Sequence, residues 1–443
     1  MSKVGVAVRQ EARWFGLHRA ARTVLKIQAR RGQPVARLLF EPGARENPYP
    51  LFDEIRGTGR VVPSLLVNAT VDYAIVSAVL RDSSAFSVAF TDAPNQPRAI
   101  RWLFSAPDPE LASVIDAPSL LAVDPPIHTR YRRLVSKPFT PRALQQVADR
   151  VEERAVELLD GLAARHGDAG KRRVDIVKDY ANLLPVAVIA EILGVPADMR
   201  DQFLAWGHAA APVLDFGVTH REYTSVNRAL RSMNAWFNEH FANLRRHPGD
   251  DILSKLVNAD PEDRLTDLEL RATALLLLGA GFETTVNLLG SGVAVIAGSG
   301  KSRERLAAEP QLWEQAVDEL LRLESPVQIT GRVAVRDTEV DGVEVKGGTP
   351  LLCLLGGANR DPAVFDNPSA FDLDRPNSRE HLALSAGIHY CLGANLARME
   401  GQTGLRLLFE RFPDLEVVPG SGRRRDLQAL RGYESLLVDL TGS

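Results

Sequence analysis

Apolar residues recur three to four apart through most of the chain. This periodicity predicts helices near residues 70–80, 127–136, 141–165, 180–193, 198–213, 219–246, 267–297, 310–323 and 392–412. Short runs rich in β-branched residues predict strands around Val61 to Asn68, Val333 to Val345, Pro350 to Leu354 and Glu434 to Leu440, with Gly, Pro and Asp between them. There is no internal repeat and no low-complexity tract. The fold class is therefore mainly α with a minor β portion.

The longest periodic segment opens on a capping box, Thr266 with Glu269, and runs to about Ala297. About thirty helical residues span about 45 Å, enough to cross a whole domain. Its centre carries Gly279-Ala280-Gly281, and each glycine inside a helix costs about 1 kcal/mol against alanine, so something there needs space. Between Asp82 and Val123 runs a long irregular connection with Phe86, Phe90, Trp102 and Phe104. A connection of that length in a compact domain is either a functional lid or disordered. The segment from Arg9 to Arg31 is basic and amphipathic, with Trp14, Phe15, Leu17, Val24, Leu25 and Ile27 on its apolar side. Such a helix can lie on a membrane surface. The reading adopted is a helix packed on its own protein and stopped by Gly32, so that residues 1–45 form a basic helical extension packed on a single domain over 46–443.

Composition narrows the classes. At 443 residues with no linker-like stretch, one large domain is expected, and a net charge of -3 gives no basic excess for nucleic acid. Two cysteines, Cys353 and Cys391, imply no disulfide framework, which suits a reducing cytoplasm. No run of about eighteen uninterrupted apolar residues appears, and the N-terminus lacks a signal-peptide core, so a soluble cytoplasmic protein without a membrane span is expected.

The chemistry centres on Cys391, in Leu384-Ser385-Ala386-Gly387-Ile388-His389-Tyr390-Cys391-Leu392-Gly393. Gly387 and Gly393 allow tight turns and the close approach of a flat ligand. The helix that follows points free N–H groups back at the sulfur, which predicts a lowered thiol pKa and a thiolate able to bind metal. Cys353, in an apolar run, reads as core. Three more constellations accompany it: Glu319-Leu320-Leu321-Arg322 on one helical face, Ala280-Gly281-Phe282-Glu283-Thr284-Thr285 within the long helix, and Asp124 to Arg133 with His128 and Arg132 one turn apart.

In this order, together with Arg375 in Phe371-Asp372-Leu373-Asp374-Arg375-Pro376, these motifs resemble those of the cytochrome P-450 superfamily, the haem-thiolate monooxygenases. The resemblance covers nearly the whole chain from about Asn47 and is nearest to soluble actinobacterial members. It implies the P-450 fold with the long helix over haem b, and Cys391 as the protein ligand of the iron. It places His128, Arg132, Arg332 and His389 at the propionates, and Ala280, Gly281, Leu384 and Gly393 against the cofactor. Glu283 and Thr284 become a proton relay, Thr284 returning its hydroxyl to the Ala280 carbonyl. Glu319, Arg322 and Arg375 become a buried structural ion network.

The pattern departs from the family at two positions, with Leu384 for the usual Phe and Ser385 for the usual Gly. The implied activity is hydroxylation or epoxidation of a lipophilic small molecule, such as a polyketide or terpenoid, with O₂ and electrons from a separate ferredoxin and ferredoxin reductase. A peroxide-driven peroxygenase and a non-catalytic haem sensor or carrier are the alternatives. Leu276, Gly279, Ala280, Val327, Gln328, Ile329 and aromatic residues of the 82–123 connection would line the pocket, Gln328 fixing one polar group. The connection and the turn from Leu214 to Thr219 would close over it.

Overall fold

Thr266 caps the longest helix, Asp267–Ala297. Its side chain accepts the Glu269 N–H at 3.3 Å while Glu269 Oε2 accepts the Thr266 N–H at 2.7 Å. This is the predicted capping box, and it satisfies two of the N–H groups that the first turn leaves without helical partners. The helix is the axis of the principal core, with Leu275, Leu278, Phe282, Val286, Leu289 and Val293 all buried. By length and composition it could cross a membrane, but 72% of its most apolar window is buried inside the protein, as a core helix requires.

In this computed structural model the described residues are 3–41, 43–92, 94, 97–164 and 172–440. Residues 1, 2 and 42 of the N-terminal extension, 93, 95 and 96 of the long connection, and 165 at the end of one predicted helix lie outside them.

The helices Leu183–Leu193 and Ala394–Arg411 pack against the central one, and His220–Arg246 and Leu312–Leu323 flank it. All nine predicted helices are present, two with the predicted ends and seven with shifted ones. Among the described residues six short ones escaped the periodicity: Pro34–Phe40, Tyr49–Thr58, Arg98–Phe104, Ile252–Val257, Gly300–Ala308 and Leu355–Ala358. One to three turns carry too few apolar positions for a period to stand out.

A second core lies under a four-stranded sheet ordered Asn68–Thr70, Pro350–Leu354, Ile329–Ala334, Phe86–Ser87. The first pair is parallel and the others antiparallel, with Thr330 opposite Cys353. The run predicted as a strand from Val61 to Asn68 is mostly irregular, joined only by an isolated bridge from Val62 to Ala69. The predicted strand Val333 to Val345 is three pieces, because Asp341 and Gly342, both at positive φ, turn the chain into a small hairpin.

The N-terminal segment forms Lys3–Arg13, a π-helical stretch Trp14–Ala20 and Ala21–Arg30, and Gly32 follows at φ +82°. Leu25 is buried, whereas Phe15 and Ile27 are exposed. Arg13 forms a buried bidentate pair with Asp116, Nη2 to Oδ1 2.7 Å and Nη1 to Oδ2 3.0 Å, and Arg9 donates to Ser105. Trp14 and Arg22 donate to the carbonyls of Val218 and Gly217. One segment thus holds both stretches expected to cover the site.

Candidate active site

The loop before Ala394–Arg411 is built around its cysteine. Gly387 has φ +66°, and a Cβ there would meet the Leu80 carbonyl oxygen at 2.5 Å, so only glycine fits this turn against the neighbouring helix Tyr73–Arg81. Gly393 is different, since a Cβ there would meet nothing within 4 Å. The Cys391 N–H donates to the Leu384 carbonyl, and Leu384 is buried. The expectation of a lowered thiol pKa is corrected. Burial pushes the Cys391 thiol up, and the Gly393 N–H, Arg132 and Arg398 pull the other way without overcoming it. The anion thus needs a positive partner at the sulfur. Cys353 is fully buried on its strand, and burial pushes its thiol up to about 12.

Four basic side chains gather beside this loop. The rings of His128 and His389 meet edge to face at 4.4 Å, and His389 lies in the fields of Arg332, Asp124 and Arg132. Burial lowers His128 to about 4, helped by His389 and Arg132. The Nε2 atoms of both histidines are buried without hydrogen-bond partners, and Asp124 approaches His389 only to 3.8 Å. Buried Arg332 donates to its own strand, to Thr330 Oγ1 and the Gly331 carbonyl. Neither Arg332 nor Arg132 pairs with a carboxylate among the described residues. Buried polar atoms are normally paired, so this cluster has room for an anionic guest.

On the central helix, Leu276, Gly279, Ala280 and Thr284 form one stripe at helical spacing, and none of them is buried, although Leu275, Leu277, Leu278, Glu283 and Thr285 are. A Cβ on Gly279 would meet nothing within 4 Å. The stripe therefore faces open space. Gly281 does not belong to it: a Cβ there would come within 2.8 Å of Ile189, so its smallness serves the packing of Leu183–Leu193 on the central helix. Thr284 donates to the Ala280 carbonyl at 2.9 Å, as expected. Glu283, beside it, is 4% exposed, and burial raises its pKa while Arg425 pulls it down.

The ion network lies at zero or near-zero exposure. Arg322 donates to both Glu319 oxygens at 2.7 and 2.8 Å, and Arg375 adds 3.0 and 3.1 Å. Arg322 also donates to the carbonyls of Asn359, Pro368 and Ala370, tying the segment before the cysteine loop to Leu312–Leu323. Sequence reasoning missed the neighbouring Asp318. It accepts from Arg398 at 2.7 Å and Arg379 at 3.1 Å and sits 3.3 Å from His381, while Arg398 also donates to Tyr390 beside the cysteine. Its only signal was its place next to Glu319.

The expected pocket wall needs two corrections. Gln328 is buried and commits its amide N–H to the Ser325 carbonyl at 2.6 Å, which leaves only Oε1, packed where a Cβ on Gly356 would fall, without a hydrogen-bond partner among the described residues. Phe86 is a buried sheet residue and Trp102 faces outward beneath Arg9, which leaves Phe90, lying on Gly331, as the inward aromatic. The side chain of Phe104 lies outside the described residues.

A mainly helical protein with this cysteine loop, basic cluster and open stripe belongs to the haem-thiolate class. The sequence model of the cytochrome P450 family matches residues 115–430, and the chain is a member of that family. It is 44% identical over 437 residues, 98% of each chain, to cytochrome P450 140 of Mycobacterium tuberculosis. It is 40% identical over 326 residues to the polyketide biosynthesis cytochrome P450 PksS of Bacillus subtilis, covering 73% of this chain and 78% of that one. Among solved structures it is similar to P450BioI in complex with an acyl carrier protein carrying hexadec-9Z-enoic acid. That likeness has TM-score 0.81 and 32% identity over 89% of this chain and 99% of that one. Family members are monooxygenases that use haem.

Proposed function

We propose that this protein is a monooxygenase that hydroxylates or epoxidises a lipophilic natural product, with electrons from a separate ferredoxin and its reductase in the cytoplasm. The observation that carries the reading is the open stripe of Leu276, Gly279, Ala280 and Thr284 with a buried acid, Glu283, next to its hydroxyl. When bound through Cys391, haem supplies the oxidation of the substrate with O₂.

The chain's own residues bind, orient and deliver protons. Cys391 would hold the iron. His128, Arg132, Arg332 and His389 would hold the propionates, the two histidines through Nε2 atoms that have no hydrogen-bond partner among the described residues. Leu384 and Gly393 would lie against the cofactor on the cysteine side and Ala280 on the other. Thr284, bonded to the Ala280 carbonyl, loosens the helix and gives water a place, and Glu283 would supply protons to it. An apolar stripe with little charge favours an apolar ligand, since burying an unpaired charge costs several kcal/mol. A relative named for polyketide biosynthesis and a structural neighbour in complex with testosterone support that class.

The test is turnover of a panel of polyketides, terpenoids, steroids and fatty acids with O₂ and a ferredoxin system, against peroxide alone. Product only with O₂ and reductant supports the reading. Efficient product from peroxide alone makes the protein a peroxygenase, and none under either condition makes it a sensor or carrier.

A further inference from the structure

Glu283 is walled into the protein, yet neither carboxylate oxygen has a hydrogen-bond partner among the described residues. Two basic side chains face it from two other elements. Arg425, beside the C-terminal ribbon of Arg423–Arg424 and Tyr433–Ser435, brings Nη1 to 3.1 Å from Oε1 without hydrogen-bond alignment. His208, near the end of helix Arg200–Ala210, brings Nε2 to 3.7 Å from Oε2. Arg425 and His208 are themselves joined, Nη2 to Nε2 at 3.0 Å. Burial and then Arg425 lower His208 to about 4, so near neutrality its ring is uncharged and accepts from the guanidinium. The approach of His208 to Glu283 is therefore charge against dipole, not an ion pair.

Both elements reach Glu283 because glycine stands at each contact. A Cβ on Gly207 would fall 2.1 Å from Phe282, and one on Gly432 would fall 1.8 Å from Asn287, one turn along the central helix from Glu283. The Arg425 N–H donates to the Gly432 carbonyl, fixing that close approach. The neighbouring charges turn away: Arg423 pairs with Glu434, Arg424 with Glu324, and Asp426 with Arg45. Among the described residues Arg425 is the one charge that acts on Glu283. Of the three side chains, His208 alone is substantially open to solvent, at 32% against 10% for Arg425 and 5% for Glu283.

We propose that Arg425 and His208 are positioning residues for the relay acid: Arg425 holds the Glu283 carboxyl in place and its charge favours the carboxylate over the acid, and His208 holds Arg425 while forming the solvent end of the path. Helix Arg200–Ala210 leads directly into the turn expected to cover the pocket. Seating that helix therefore completes the clamp on Glu283, and lifting it removes the acceptor of Arg425. Pocket closure and readiness to deliver protons become one event. The inference rests on the proposed relay function of Glu283.

The test separates the clamp from the relay. In the ferric holoenzyme, the carboxylic acid C=O band lost in Glu283→Gln is titrated against pH by infrared difference spectroscopy. Removing a cation at this distance raises a buried acid by about 1–3 units. Arg425→Gln and Arg425→Met should each move the midpoint up by at least about one unit, Arg425→Lys should restore most of it, and His208→Ala should shift it less in the same direction. A midpoint unmoved in both Arg425→Gln and Arg425→Met overturns the proposal. Peroxide release during ferredoxin-driven turnover is measured separately. If Glu283→Gln leaves it unchanged while the Arg425 variants shift the midpoint, the relay reading fails and the clamp stands.

Discussion

The N–H of Cys391 donates to the carbonyl of Leu384 at 2.9 Å, so the residue seven positions earlier is fastened directly to the ligand position. The loop between them closes on itself, and Ser385 inside it is forced to φ +61°. That conformation costs a residue with a Cβ about 1–2 kcal/mol and costs glycine almost nothing, which accounts for the family's glycine here. The Ser385 hydroxyl is also buried without a partner among the described residues.

Ser385→Gly should therefore stabilise the protein, by about 1 kcal/mol. Chemical denaturation of the variant and the parent under identical haem loading measures this directly. A loss of stability would show that the serine makes a contact worth more than the strain.

Cys391→Ser should abolish the red-shifted Soret band of the reduced carbon monoxide complex, while Cys353→Ala keeps it. Cys353 is fully buried with its thiol pushed up to about 12, so it has neither access nor charge for a metal. A retained band in Cys391→Ser would overturn the ligand assignment.

Thr284→Ala removes the hydroxyl bonded to the Ala280 carbonyl. Haem content and substrate-induced spectral change should stay near those of the parent, while a severalfold larger share of electrons leaves as hydrogen peroxide. Unchanged coupling of electrons to product would exclude Thr284 from proton delivery.

Stability in acid should depend on Asp318. Burial pushes its carboxyl up, but hydrogen bonds from His381 and Arg398 outweigh burial and hold it at about 2. A carboxylate depressed by folding stabilises fully above its unfolded pKa of about 4 and loses that contribution as pH falls toward 2. The amount is about 2 kcal/mol. The parent should thus lose stability faster than Asp318→Asn between pH 4 and 2 in urea titrations, and parallel curves would contradict this.

The N-terminal clasp predicts a change in motion. Arg13→Met leaves buried Asp116 without its bidentate partner, a change that costs about 3–5 kcal/mol when a buried pair is broken from one side. Hydrogen exchange should accelerate in residues 98–116 and 215–223 and in few other places. Uniform protection across both stretches would mean the segment rides on the domain without restraining it.

The parts legible in the sequence were those whose chemistry dictates residue type and spacing together. Cys391 with Gly387 and Gly393, Glu319 with Arg322, and Thr284 one turn from Ala280 each lie within a few residues of one another. The central helix was legible to its cap because thirty-odd residues repeat one period. Asp318, His208 and Arg425 were not, because their meaning comes from distant partners; His208 and Arg425 are separated by 217 positions. Gly281 and Gln328 look alike in sequence to their pocket-facing neighbours, yet packing turns one toward Ile189 and the other toward Ser325. Helical period tells which face a residue occupies, not which neighbour that face meets.

The buried pair of Arg13 and Asp116 also sets a rule for recombination. A chimera that takes its first thirty residues from a relative and the remainder from this chain keeps Asp116 but replaces Arg13, the other member of a desolvated pair, with whatever the relative carries there. Unless both positions come from the same parent, are matched in charge, or are made apolar together, the hybrid starts with Asp116 buried and unpaired. Crossover points for shuffling therefore belong after residue 116, not at the glycine turn at residue 32 where the eye would place them.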